Sequence, residues 1–435
     1  MSRGEAEDTL DNKFRYWRGP RLLVDTAAAT EVAAVGIWYA RGSRDEGKGE
    51  IGSTHFIEHL LFKGTRSRNA YDIARDVDRL GGSINAFTER ECMAVHLTIP
   101  SDAFEDAVQI LIDLIENSQF DPGEIEKERS VIVNELESSE DEPEEYASDA
   151  FLAHIWPSHP LSRKIGGELS DLDSLSPELL YEGYKRNFST HISVISVAGD
   201  VEGTRAYKAF SSLLEAPGGK KNGTVSRQTQ RTPPVFSPSA EPFLKAPFQH
   251  TQVFCAFGGD YVELDDYYAL ELANAAIGDS MSSRLFQELR EKSGLCYSVF
   301  SSPSLLSDAS LWTAYATCSN ENSGELVSRM NQEIDRLMQH GLKEDEIISS
   351  KAHIIGSMKI AASDMEYRMR RISRRVLYNG NAISHKEALE QVKQLGVQEV
   401  NQAMERFFNA KPRFFAVGPQ SARASFLKAI EKGRG

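Results

Sequence analysis

Residues 42–65 read GSRDEGKGEIGSTHFIEHLLFKGT and contain the pattern His-x-x-Glu-His at positions 55–59. The pattern opens an apolar run typical of a helix. Because side chains four apart lie on one helix face, His55 and His59 project in the same direction. Glu58 lies on the same face, beside the two imidazoles. A further carboxylate, Glu135, follows later in the chain.

These four side chains are sufficient for a catalytic zinc site. Two neutral imidazole nitrogens and the Glu135 carboxylate leave the fourth position of a tetrahedral zinc open for water. Glu58 would stand beside the metal and take a proton from that water. The order H-x-x-E-H is the inverted form of the common H-E-x-x-H zinc motif. A solvated helix face is the alternative interpretation of so short a pattern.

The helix that carries Glu135 is predicted by residues 120–143, FDPGEIEKERSVIVNELESSEDEP. Asp121 is a suitable N-cap, Pro122 suits the first helical position, and acidic residues fill the first turn. Glu128 and Glu135 are seven apart, which places them two turns apart on one face of this helix.

These segments carry a resemblance to a known family. Residues 42–65 and 120–143, together with LGGSINAFTERE at 80–91 and SSRLFQELREKSGLCYSVFSS at 282–302, are similar to pitrilysin-type zinc metallopeptidases, the inverzincins. Within that family the chain resembles a bacterial subgroup, the processing-peptidase-like enzymes, which are named for their similarity to the mitochondrial processing peptidase. The resemblance implies one Zn²⁺ per chain. It also implies a role for each site residue: His55, His59 and Glu135 as zinc ligands, Glu58 as general base and Glu128 as a carboxylate near the metal.

Length and charge restrict the class of protein. A chain of 435 residues is long enough for two or more domains. The net charge of −15 disfavours nucleic acid and anionic membrane as partners, and it favours basic substrates. The sequence has no run of 18 apolar residues, so we expect no membrane span. The acidic N-terminal stretch resembles neither a signal peptide nor a mitochondrial presequence, and we expect a cytoplasmic protein.

The four cysteines have no C-x-x-C spacing, and we expect them to be small buried hydrophobic side chains in a reducing compartment.

The chain repeats itself. Residues 104–132 and 324–354 both predict a helix, a short turn and a second helix with acidic residues in its first turn, which indicates a domain duplication. We predict a zinc-binding catalytic half at 1–215, a linker rich in Gly, Pro, Ser and Lys at 216–242, and a second half at 243–435. The second half has Ala269, Ala273 and Ser357 opposite the three ligands, so it lacks the metal set.

The predicted fold class is α+β. Strand-like and helical runs do not alternate regularly, which argues against a doubly wound parallel sheet. We predict a mostly antiparallel sheet with helices packed on one face. The resemblance implies that this α/β roll occurs twice, as two homologous halves that close like a clamshell.

The resemblance implies two further sites. The strand around Asn85, Ala86 and Phe87 would be a sheet edge that binds the substrate backbone by strand addition; an ordinary interior strand is the alternative. Arg290 and Tyr297 would complete the active site from the second half, with the tyrosine hydroxyl stabilising an oxyanion. A surface arginine and a core tyrosine are the alternative.

We therefore predict a zinc-dependent endopeptidase that hydrolyses short or unfolded peptides in an enclosed chamber. Two other classes remain open at this point: a catalytically silent assembly or structural subunit of a peptidase heterodimer, and a different metal-dependent hydrolase. Relatives of this length work as two-chain assemblies, so the resemblance implies a homodimer, with a heterodimer containing a paralogue as the alternative.

Overall fold

The structure is a computed structural model that describes residues 9–11, 21–28, 30–189, 191–214, 231–236, 241–259, 266–408 and 410–433. The strands in chain order are β1 (Thr9–Asp11), β2 (Arg21–Thr26), β3 (Val32–Tyr39), β4 (Ser83–Thr88), β5 (Met93–Pro100), β6 (Val194–Gly199), β7 (Phe243–Lys245), β8 (Thr251–Gly259), β9 (Cys296–Leu305), β10 (Ser310–Cys318) and β11 (Arg413–Gly418).

The α-helices in chain order are α1 (Ser53–Leu60), α2 (Ala70–Arg79), α3 (Phe104–Asn117), α4 (Pro122–Asp141), α5 (Pro143–Ile155), α6 (Leu169–Leu172), α7 (Pro177–Asn187), α8 (Gly203–Ala209), α9 (Ser211–Leu214), α10 (Tyr267–Asn274), α11 (Ser323–His340), α12 (Glu344–Ala361), α13 (Met365–Asn379), α14 (His385–Gln394), α15 (Val397–Phe407) and α16 (Gln420–Gly433). Two short π-helical turns, Ala275–Asp279 and Phe286–Glu291, follow α10.

The chain divides into two compact units, and neither is a continuous stretch of sequence. Unit 1 comprises Met1–Ser138, Arg163–Gln230 and Ile360–Ala388, and unit 2 comprises Ser139–Ser162, Arg231–Lys359 and Leu389–Gly435. Each unit therefore includes a segment from the far side of the predicted linker at 216–242. Most of that linker lies outside the described residues, so its boundaries stay a prediction.

Unit 1 contains a sheet in the order β1-β2-β6-β3-β5-β4. Every neighbouring pair is antiparallel except β2 with β6. The sheet is therefore mostly antiparallel, as predicted. One face packs on a large apolar core that includes residues of α1, α3 and α7.

The second face of this sheet is covered by α13, which comes from the C-terminal part of the sequence. Met369 and Ile372 of this helix pack with Trp38 of β3 in a second apolar cluster. Helices thus lie on both faces, and the prediction of one covered face was wrong. The sequence of β3 carries a signal for this, because seven of its eight residues are buried and a strand without a polar face is typical of a sheet covered on both sides.

A buried ion pair fixes α13 to the sheet. Arg368 donates two hydrogen bonds to Asp25 of β2, at 3.1 Å from Nε and 2.7 Å from Nη2. Both residues are buried. A paired, bidentate geometry is what makes two buried charges tolerable.

Unit 2 contains a sheet in the order β7-β11-β8-β10-β9. Its α5 comes from the N-terminal part of the sequence, and Phe151 of α5 stacks on Phe254 of β8 with ring centroids 4.6 Å apart. Phe408, after α15, packs against Phe257 of β8 and Trp312 of β10. The mixed fold with two sheets is the predicted class. All four cysteines are buried, as expected.

Candidate metal centre

Helix α1 begins where two interactions hold its first turn. Gly52 adopts φ +83°, a conformation that glycine allows, and a Cβ there would lie 2.5 Å from the carbonyl oxygen of Gly166. The buried carboxylate of Glu46 accepts hydrogen bonds from the backbone N–H groups of Gly52 at 2.9 Å and Thr54 at 2.7 Å. These bonds satisfy donors that a helix N-terminus otherwise leaves open, so they fix the position of the helix.

The three predicted ligands converge. His55 Nε2 lies 3.7 Å from Glu135 Oε1, and His59 Nε2 lies 3.6 Å from Glu135 Oε2. The two Nε2 atoms are 3.3 Å apart. Among the residues that the structure describes, this is the one group of three or more His, Cys, Asp or Glu side chains placed to hold a metal ion.

The spacing of these donors fits a tetrahedral zinc ion. Zn–N bonds of about 2.0–2.1 Å at tetrahedral angles separate two ligand nitrogens by roughly 3.3–3.4 Å. The two Nε2 atoms match this separation, and the Glu135 oxygens lie only a few tenths of an ångström further out. Two imidazoles and one carboxylate are also the donor types that a catalytic zinc site uses, with one position left for water.

Burial prepares His55 for metal binding. The burial of its imidazole, helped by the neighbouring His59, lowers the pKa of His55 to about 4. The ring is therefore neutral near pH 7, and a neutral imidazole is the form that binds a metal.

His59 is oriented by a carboxylate on helix α4. Its Nδ1 lies 3.0 Å from Oε1 of Glu128, so Nδ1 carries the proton and Nε2 faces the other ligands. The second oxygen of Glu128 pairs with Lys63 Nζ at 2.5 Å. Glu128 is buried, and each of its oxygens thus has a partner. The predicted place of Glu128, near the metal and a histidine ligand, matches this geometry.

Glu58 lies beside the ligands and is held from the neighbouring strand. Thr88 Oγ1, at the end of β4, donates a hydrogen bond of 2.6 Å to Glu58 Oε2. Burial raises the pKa of Glu58, while the Thr88 hydroxyl acts in the opposite direction. A carboxylate with a raised pKa is better able to accept a proton near neutral pH.

The strand around residues 85–87 is an edge strand of its sheet, as far as the described residues go. β4 is the last strand of the unit 1 sheet and pairs with β5, where Asn85 lies opposite His96. This contradicts the alternative of an interior strand. The side chain of Asn85 accepts the backbone N–H of Ala86 at 2.8 Å. Phe87 points to the α13 side of the sheet, where the Arg370 guanidinium lies 4.3 Å above its ring.

Arg290 and Tyr297 lie in unit 2. Tyr297 is the second residue of β9 and is 83% exposed, which contradicts the alternative of a core tyrosine. Arg290 is exposed in the π-helical turn Phe286–Glu291, and its guanidinium lies 5.7 Å from the centre of the Tyr297 ring. The two residues therefore form one local pair. Their catalytic role stays a prediction.

Four residues near the ligands were not predicted from the sequence: Thr88, Lys63, Glu46 and Gly166. Lys63 lies in the turn that follows α1, three residues after the helix ends at Leu60, so helical spacing does not place it. Thr88 lies inside a segment that carries the resemblance. Glu46 also lies inside such a segment, six residues before Gly52. Gly166 approaches the helix through a tertiary contact, which no local pattern indicates.

The fold and this donor set define a two-unit α+β protein with a candidate metal site whose ligand types are those of zinc hydrolases. Family models give the second step. The model described as Insulinase (Peptidase family M16) matches residues 21–168, and the model described as Peptidase M16 inactive domain matches residues 174–353. The chain belongs to the M16 peptidase family, and the first match contains all three ligand positions.

Curated relatives cover nearly the whole chain. A protein of Mycobacterium leprae described as an uncharacterized zinc protease is 29% identical over 418 residues, which are 95% of this chain and 92% of the relative. A Bacillus subtilis protein with the same description is 27% identical over 409 residues, which are 94% of this chain and 98% of the relative. Both support a zinc protease at the level of the family.

Solved structures agree on the fold. A structure from Pseudomonas fluorescens, described as a peptidase M16 inactive domain, matches with a TM-score of 0.84 at 18% identity and covers 95% of this chain and 98% of its own. A structure described as a protease from Helicobacter pylori matches with a TM-score of 0.79 at 17% identity, with 95% and 99% covered. Among the described helices, none is both long and apolar enough to cross a membrane.

Proposed function

We propose that the protein is a zinc-dependent endopeptidase that hydrolyses short or unfolded peptides. The observation that carries this proposal is the convergence of His55, His59 and Glu135 in unit 1, with the Glu58 carboxylate beside them. A ligand set alone would suit a structural metal, but three protein ligands with one open position and an adjacent base suit hydrolysis.

His55, His59 and Glu135 would hold the ion. A zinc ion in that position would lower the pKa of the attacking water and would polarise a carbonyl group. Glu58 accepts the proton of the attacking water and later delivers it to the leaving amine, which general acid–base catalysis requires. Glu128 keeps the His59 ring in its tautomer and orientation through the 3.0 Å contact with Nδ1.

The substrate backbone would bind along β4. β4 pairs with β5 on one side, and none of the described strands pairs with its other side. That outer edge is therefore open to a peptide. Adding a strand there provides main-chain hydrogen bonds that make few demands on sequence. Asn85, Ala86 and Phe87 would lie along the bound peptide. Because a strand must be extended to pair in this way, unfolded segments and short peptides are the substrates that fit.

A catalytically silent subunit is the second candidate. The observation in its favour is the match of residues 174–353 to a domain described as inactive. That match falls on the part of the chain without the metal set, whereas residues 21–168 retain all three ligands and Glu58. The intact site favours an active peptidase.

Digestion of a mixed peptide library tests the proposal. We expect purified protein to cleave unstructured peptides, to lose this activity to a chelator and to regain it when Zn²⁺ is added back. Mass spectrometry of the products would also give the cleavage preference. Zinc-loaded protein that leaves every peptide intact would favour the silent subunit, and cleavage of a non-peptide ester alone would favour a different hydrolase.

The assembly and the substrate charge extend the proposal. We propose a homodimer as the working form, with a paralogue heterodimer as the alternative, on the basis of the resemblance to two-chain relatives. Light scattering would give about twice the 48.4 kDa chain mass. The net charge of −15 supports a preference for peptides with Lys or Arg. A monomer at working concentration, or equal cleavage of acidic and basic peptides, would contradict these additions.

A further inference from the structure

The contact between Thr88 and Glu58 joins two elements that have separate roles in the proposed function: α1 carries the base, and β4 would bind the peptide. Glu58 belongs to the ligand-bearing helix α1, and Thr88 is the last residue of the edge strand β4. Their side chains meet through the 2.6 Å hydrogen bond from Thr88 Oγ1 to Glu58 Oε2. Within the described residues, this is the only hydrogen bond of the Glu58 carboxylate.

The end of β4 is a rigid place from which to hold a side chain. Directly after Thr88, the backbone N–H of Glu89 donates to the carbonyl of Cys92 at 2.7 Å and closes the hairpin to β5. From the other side, the N–H groups of Ser43 and Arg44 donate to the carbonyls of Glu89 and Arg90 at 3.1 Å and 2.9 Å. The hydroxyl of a β-branched threonine is further restricted at χ1.

The bond decides which oxygen of Glu58 is open. A carboxylate without partners rotates, and a base that accepts a proton must present one oxygen in a fixed direction. The Thr88 hydroxyl occupies Oε2 and leaves Oε1 for a proton donor.

We propose that Thr88 is a positioning residue for the base: it fixes the rotation of the Glu58 carboxylate and couples that carboxylate to the strand along which a peptide would bind. This inference rests on the proposed function and adds a residue that acts through Glu58. A peptide that pairs with β4 is then placed relative to Glu58 by one short chain of contacts, strand to hydroxyl to carboxylate.

The test compares three full-length variants. Thr88→Val keeps the shape and removes the donor, and Thr88→Ser keeps the donor. Thr98→Val is the matched control, because Thr98 lies on the neighbouring strand β5 and its buried hydroxyl has no hydrogen-bond partner in the described part of the chain. Zinc content, thermal unfolding of the metal-free protein, kcat and KM are measured for each variant and the wild type.

We expect Thr88→Val to lose about 10–100-fold in kcat, since misplacement of a catalytic group by about 1 Å costs roughly that much. KM should stay within about 3-fold and the zinc content should be unchanged, because Thr88 contacts neither ligand nor metal position directly. Thr88→Ser should stay within about 3-fold of wild type in kcat, since it keeps the donor. Thr98→Val should match the wild type.

Several outcomes would overturn the inference. The first is a wild-type kcat in Thr88→Val. The second is a loss of activity in Thr88→Val that comes from a higher KM or from a lower zinc content. The third is an equal loss of kcat in Thr88→Ser and Thr88→Val. If Thr88→Val does not fold, Thr88→Ala takes its place against Thr88→Ser, with the same expected split. A wild type that binds zinc but cleaves no peptide would overturn the proposed function and this inference together, whereas an active wild type with an unimpaired Thr88→Val would overturn this inference alone.

Discussion

The Nε2 atoms of His55 and His59 lie 3.3 Å apart, and Glu135 faces both of them, with Oε1 3.7 Å from the first and Oε2 3.6 Å from the second. These side chains can share one cation, because their nitrogen and carboxylate oxygen atoms face one another across less than 4 Å. Helix α1 sets the spacing of the two nitrogens, and helix α4 supplies the carboxylate.

Loss of the carboxylate ligand should therefore release the metal. We expect Glu135→Gln to lower the affinity for Zn²⁺ by at least about 10-fold and to abolish most activity, since an amide oxygen carries no charge. Glu137→Gln is the control, because Glu137 is exposed on the same helix. Competition with a chelator gives the affinities. Full zinc occupancy in Glu135→Gln at the same chelator concentration would remove Glu135 from the ligand set.

The helix α13 should contribute strongly to the stability of unit 1. Arg368→Met removes both hydrogen bonds to the buried Asp25 carboxylate and leaves it, among the described residues, only the more distant Arg371 guanidinium at 3.9 Å. A loss of about 3–5 kcal/mol is typical when a buried pair is broken in this way. Arg205→Met is a matched control, since Arg205 makes the same bidentate contact with Glu105, at 2.8 Å and 2.6 Å, on the exposed surface. An exposed pair is worth about 0–1 kcal/mol. Denaturant unfolding that finds equal losses in the two variants would contradict the role of α13.

The stability of the metal-free protein should depend on pH through Glu46. Burial raises the pKa of Glu46 from 4.5 to about 7, so the folded state binds more protons than the unfolded state between these values. The contribution of Glu46 to stability is then present below pH 4.5 and is lost as the pH rises through 7. Glu46→Gln cannot titrate, and its stability relative to wild type should increase from pH 5 to pH 8. A difference that stays constant over this range would show that Glu46 keeps its ordinary pKa.

The exposed tyrosine of unit 2 should affect the rate and not the metal. If Tyr297 stabilises the oxyanion, Tyr297→Phe should lose about 10²–10³-fold in kcat, the usual cost of one such donor, at unchanged zinc content. Tyr71→Phe serves as the control, because Tyr71 is also highly exposed, at 73%, and lies on α2 of unit 1. Wild-type kinetics for Tyr297→Phe would leave that residue without a catalytic role.

Much of the site could be predicted from sequence because its parts are local. His55, Glu58 and His59 share two turns of one helix, and helical periodicity alone places them together. The pairing of Glu135 with them needed the resemblance, since no spacing rule joins α1 to α4. The same holds for Glu128, whose bond to His59 spans two helices.

The exchange of segments between the units could not be predicted from local patterns. Residues 365–379 predict an amphipathic helix, and nothing in their period says which sheet they cover. Their partner is decided by Asp25 and the apolar cluster around Trp38, which are more than 300 residues away in the chain. The repeat in the sequence predicts two halves and a linker, and no local pattern indicates that Ile360–Ala388 belongs to unit 1 and Ser139–Ser162 to unit 2.

The most direct test of the central claim is a paired measurement on Glu58→Gln, in which zinc per chain and the rate of peptide hydrolysis are compared with those of the wild type. We expect one zinc per chain in both proteins, because residue 58 is beside the ligands and is not one of them. Hydrolysis by Glu58→Gln should fall by at least about 10²-fold, the usual contribution of a general base. A Glu58→Gln protein that hydrolyses peptides at the wild-type rate, or that comes back without zinc, would contradict the account.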